Sequence, residues 1–123
     1  MISFQKIEFW HARKFPLATP QSQILHLGEE VEEYKKAKTE TERYFELADI
    51  VIVCISFRRF TTTRLLADDL LNFYYFSKDN GEKTIIERYI KEKINIINHR
   101  INMNLYCWNG VDYDRNRDGK KVL

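Results

Sequence analysis

Glu46-Leu47-Ala48-Asp49-Ile50-Val51-Ile52-Val53-Cys54-Ile55-Ser56-Phe57 is the segment on which the architecture turns. An apolar run of this kind suits either a fully buried strand over residues 50–55 or a helix buried on most sides. Helix-forming flanks, from about Glu42 to about Arg59, favour the helix. The run is far shorter than the roughly 18 apolar residues of a membrane span. Asp49 stands at its entrance, and an acid that faces a core needs a cation or several donors.

Outward from this segment the pattern stays helical. Ser3 is placed to cap a first helix to about Lys14, with Phe4, Ile7 and His11 on one face. Phe15-Pro16 ends it. Thr19-Pro20 is a cap followed by Pro at the first helical position, and Ile24, Leu27, Val31 and Tyr34 then recur at helical spacing to about Lys38. Downstream, Thr61-Thr62-Thr63 reads as a break and a cap for a helix from Arg64 to about Ser77. Asp79-Asn80-Gly81 is a turn signal. A last helix runs from about Glu82 to Met103 on the stripe Ile86, Ile90, Ile94, Ile97 and Ile101. Asn109-Gly110 and Asp118-Gly119 are turn dipeptides, with Tyr106, Trp108, Val111 and Tyr113 suited to a small hairpin. The charged end beyond them reads as partly disordered.

Composition agrees with an all-α chain. The 123 residues predict one domain, and four Gly with two Pro are too few for a many-turned sandwich or barrel. Twenty basic against 18 acidic residues give a net charge of +2, which excludes a strongly basic nucleic-acid binder. The opening residues lack a basic leader followed by an apolar stretch, so no signal peptide and no membrane association are expected. Cys54 and Cys107 do not make a disulfide framework, and inert thiols in a reduced cytoplasmic protein are the expectation.

Two acidic pairs carry the chemistry. Leu27-Gly28-Glu29-Glu30-Val31-Glu32-Glu33-Tyr34 crowds four carboxylates into five positions, at a cost of a few tenths of a kcal/mol per like-charged pair. Glu30 and Glu33, one turn apart, flank the apolar stripe, and His26 lies one turn before Glu30. Glu46 and Asp49 repeat the spacing beside the apolar run. Two helices with such pairs can bring four carboxylates together, a set of hard oxygen donors suited to Mg2+. Each Glu-x-x-Glu alone is more often a solvated face. The two together, one adjoining a core segment, favour a metal site.

The segments HLGEEVEEYKKA and ELADIVIV resemble the MazG-like all-α nucleoside triphosphate pyrophosphohydrolases, whose motif is Glu-x-x-Glu, a spacer, then Glu-x-x-Asp. Here that pattern is Glu30-x-x-Glu33, twelve residues, then Glu46-x-x-Asp49. Upstream, Phe9-Trp10-His11-Ala12-Arg13-Lys14-Phe15-Pro16 and Thr19-Pro20-Gln21-Ser22 are similar to the phage and bacterial dATP/dGTP pyrophosphohydrolase-like branch. The resemblance implies a MazG-type four-helix bundle over residues 1–105, with residues 106–123 as an extension. It implies a homodimer or homotetramer, with Mg2+ (or Mn2+) held by Glu30, Glu33, Glu46 and Asp49. The implied reaction is hydrolysis of a purine dNTP to monophosphate and pyrophosphate.

The family also carries Lys, Asn and Arg on a late helix, facing phosphates or sugar. In this sequence Lys91-Asn95-Asn98 and Lys93-Arg100 are alternative registers of that pattern. Trp10, with His11 and Phe15, would line a base pocket, and His26 would hold a phosphate or orient a carboxylate. No Gly-rich phosphate loop is present, so phosphates must be held by metal and side chains. Arg58, Arg59 and Arg64 read as a solvated basic face, with a subunit contact as the second reading. The alternatives are a pyrimidine dNTP pyrophosphatase, a phosphoribosyl-ATP pyrophosphohydrolase, and a non-catalytic helical module whose acidic helix binds a basic partner.

Overall fold

The structure, a computed structural model, describes residues 2–115. Five α-helices are followed by a two-stranded hairpin. Helix α1 spans Phe4–Lys14, α2 Pro20–Lys36, α3 Glu40–Ser56, α4 Arg64–Leu71 and α5 Asn80–Asn102. The strands are β1, Tyr106–Trp108, and β2, Tyr113–Arg115. Among the described residues no helix is long and apolar enough to cross a membrane.

The segment open to two readings is helical. Helix α3 runs through the middle of the molecule, with α1, α2, α4 and α5 packed on it. Ala48, Ile50, Val51, Cys54 and Ile55 are fully buried, since neighbours on several sides absorb a helix that is apolar nearly all round. Burial drives the Cys54 thiol up to about 12, so it stays protonated and inert.

Local signals set most boundaries. The Ser3 hydroxyl accepts from the Lys6 amide, Thr39 from Glu42 and the Asp79 carboxylate from Glu82. Thr19 and Ser22 form a reciprocal capping box with Pro20 in the first turn. Two expectations need correction. Thr63 does not cap α4: its hydroxyl donates to the Phe57 carbonyl at 2.7 Å and fixes the bend after α3, where residues 57–59 tighten into a single 3-10 turn. Helix α4 does not continue regularly to Ser77. It widens into a π-helical turn at Asn72–Phe76, where Tyr75 turns inward and its hydroxyl bonds Glu87 on α5.

The hairpin pairs Tyr106 with Arg115, Cys107 with Asp114 and Trp108 with Tyr113. Asn109 closes the turn by accepting from the Val111 and Asp112 amides at 2.8 Å each. Gly110 there has φ +97°, a conformation that needs a residue without a β-carbon. The hairpin is docked on the helices. The Tyr113 hydroxyl accepts from the Leu17 amide at 3.0 Å, and the Phe15 ring lies 5.1 Å from both Tyr106 and Tyr113. Asp118-Gly119 and the charged end lie outside the described residues.

Candidate metal centre and its cleft

The acidic pairs face each other where α2 crosses α3. Glu30, Glu46 and Asp49 each present an oxygen such that the three lie within 4.8 Å of one another. Glu33, one turn after Glu30, lines the same cleft but stays exposed and outside this trio, because α2 turns it toward solvent. Lys93 of α5 completes the group. Its Nζ is 2.6 Å from Asp49 Oδ2 and 3.6 Å from the centre of the Phe45 ring.

Crowding shapes the charges. Burial, the neighbouring charge of Asp49, a hydrogen bond with Asp49 and the charge of Glu46 push the Glu30 carboxyl up to about 8, against the pull of Lys93. Glu46 is raised for the same kinds of reason, burial first and then Asp49. Three carboxyl groups share one ammonium, so the site has acceptors to spare. Hard oxygen donors at this spacing fit a Mg2+ or Mn2+ ion.

The trio closes one side of a cleft of about 530 Å3. Aromatic side chains of Trp10, Phe15, Tyr106 and Tyr113 line it further along, and Arg100 and His26 lie on its walls. His11 and Gln23, which also line it, belong to a buried polar layer. Arg59 donates to His11 Nδ1 at 2.9 Å and to the Phe15 carbonyl at 3.0 Å. Burial, then the charges of Arg59 and His26, drives His11 down to about 3, so its ring is neutral. Gln23 donates to Ser56 at 2.7 Å, and Ser56 donates to the Val53 carbonyl.

Of the residues singled out in the sequence, Glu30, Glu33, Glu46, Asp49, Lys93, Arg100, Trp10 and His26 border one cleft. Lys91 and Asn95 do not. They are exposed, because the turn of α5 that aims Lys93, Ile97 and Arg100 at the cleft carries positions 91 and 95 to the far side. The Lys93–Arg100 register therefore faces the acids. Asn98 takes a supporting place: its carbonyl accepts the Trp10 indole N–H at 2.8 Å and fixes that ring. Trp10 is itself a wall, only 8% exposed.

Arg64 is exposed as expected, but Arg58 and Arg59 differ from a solvated face. Arg58 pairs with Glu8 at 3.3 Å and with Asp68 at 3.6 Å, while Arg59 ties α1 to the end of α3. Gln23 and the hairpin carboxylates Asp112 and Asp114 were not singled out, yet all line the cleft. Gln23 had a signal, since it sits one turn before Leu27 on the apolar stripe. The hairpin acids had none, because no local pattern says where a hairpin docks. Comparison with protein-family models, curated proteins and solved structures finds no match to this chain.

Proposed function

We propose that the protein hydrolyses nucleoside triphosphates between the α and β phosphates, as a MazG-like pyrophosphohydrolase built on a four-helix bundle. The observation that carries this reading is the meeting of Glu30 with Glu46 and Asp49 at a cleft that also holds Lys93, Arg100 and an aromatic wall. Acidic, basic and aromatic surfaces in one groove match the cation, phosphates and base of a nucleotide. The cleft volume lies within the ~300–1,000 Å3 common for small-ligand sites.

Glu30, Glu46 and Asp49 would hold the cation, with Glu33 at its edge. The bound ion would supply Lewis-acid charge for the phosphates and for the attacking water. Glu33 is assigned the water's proton: it borders the cleft outside the trio, whereas Glu30 is engaged with Asp49. Lys93 and Arg100 would neutralise phosphate oxygens, and Phe15, Tyr106 and Tyr113 would flank the base. Purine dNTPs are the preferred substrates. That choice is carried by the sequence resemblance around Trp10-His11.

The test is a panel of NTPs and dNTPs with Mg2+, scoring monophosphate and pyrophosphate. The reading predicts equimolar monophosphate and pyrophosphate. Release of orthophosphate with a nucleoside diphosphate would refute it. Glu33→Gln and Asp49→Asn should each lower kcat at least ~100-fold while leaving the helical circular dichroism intact. Near-normal turnover in either would remove that residue from the site.

A further inference from the structure

The ammonium of Lys93 sits 2.6 Å from Asp49, a member of the acidic trio that a divalent ion would bridge. It touches Asp49, which contributes one of the three converging oxygens, and it backs onto the face of Phe45. The residue is only 9% exposed. We propose that Lys93 is a tethered counter-ion, which holds Asp49 while the centre lacks a cation, is displaced when a divalent ion binds, and then pairs with an incoming polyphosphate.

This rests on the metal reading above. A buried ammonium that loses its carboxylate is left uncompensated, which is strongly unfavourable unless a new partner appears. Its four-carbon stem lets it swing, and the phosphate groups drawn to the cation are the partner within reach. The ion alone therefore meets a competitor already in place. An ion arriving with polyphosphate meets a lysine that has somewhere to go. The two ligands bind cooperatively, and Lys93 carries the coupling. The Phe45 ring stabilises the resting position through its negative face.

The experiment follows the melting temperature of the full chain against Mg2+, and then against inorganic pyrophosphate at saturating Mg2+. It compares the wild type with Lys93→Met, Phe45→Leu and Glu46→Gln. Lys93→Met should bind Mg2+ about tenfold more tightly and pyrophosphate about tenfold more weakly. Phe45→Leu should move Mg2+ affinity in the same direction by less, which keeps the test open if Lys93→Met fails to fold. A merely structural lysine would weaken both ligands. Unchanged or weaker Mg2+ binding in Lys93→Met, or unchanged pyrophosphate binding, overturns the counter-ion role alone, provided Glu46→Gln has lost the Mg2+ response. No Mg2+ response in the wild type, or one that survives Glu46→Gln, overturns the metal reading and this inference together.

Discussion

His11 keeps a neutral ring because it is buried beside Arg59, which donates to its Nδ1. Its fold-state value of about 3 lies below the 6.5 of an ordinary imidazole. Above pH 6.5 both folded and unfolded chains hold it neutral, so its contribution is complete. As pH falls from 6.5 toward 3, the unfolded chain takes up a proton that the fold refuses. Stability then drops by up to about 1.4 kcal/mol per pH unit. Glu30 acts in the opposite sense between its ordinary value and about 8, so the His11 term is read as a difference between proteins. Urea unfolding in EDTA at pH 6 and pH 5 should show a weaker loss on acidification in His11→Gln than in the wild type. Equal losses would mean that the ring is not held neutral. The residues of this layer differ in how far the sequence disclosed them. Asp49 was legible because an acid beside an apolar run demands a partner. Which lysine answers it was not, because Lys91 and Lys93 sit two residues apart and only the rotation of α5 chooses between them.

Among the elements, α1 and α2 were readable to within a few residues, because Ser3 and Thr19 cap through their own side chains. Helix α3 was readable from its apolar run, although Thr39 caps it and it begins at Glu40, two residues before the expected start at Glu42. The bend after α3 was harder. Thr63 looks like a cap, but its hydroxyl is committed to the Phe57 carbonyl six residues back, a contact that only the folded chain creates. The π-helical turn is likewise set by Tyr75 reaching Glu87 across a gap in sequence. The hairpin was visible from Asn109-Gly110, while its docking was not. That docking depends on Phe15 and on the Leu17 amide, nearly a hundred residues away. Tyr113→Ala removes two ring contacts, with Phe15 and Trp108, and the acceptor for Leu17. It should cost about 1–2 kcal/mol in denaturant unfolding. It should also raise KM for the nucleotide more than it lowers kcat, since the ring lines the cleft but not the acidic trio. An unchanged KM would place the hairpin outside the substrate's reach.

For the molecule as a whole, α3 at the centre and the four other helices packed on it account for the core, and one apolar segment announced that centre. The surface carries exposed apolar side chains. Leu65 is 81% exposed and Phe73 67%, and Ile24 and Phe76 are half exposed. Apolar area of this kind favours association, and the proposed homodimer or homotetramer predicts a molar mass of two or four chains in light scattering at micromolar concentration. A strictly monomeric protein would contradict it. The central claim is that α2 and α3 together form one divalent-cation site. Its most direct measurement is a Mn2+ titration followed by electron paramagnetic resonance, in which free Mn2+ gives the signal and bound Mn2+ loses it. The account predicts saturable loss of signal in the wild type, abolished when Glu30→Gln on α2 or Asp49→Asn on α3 is introduced singly in a folded protein. Binding that survives both substitutions, or no binding at all, would contradict it.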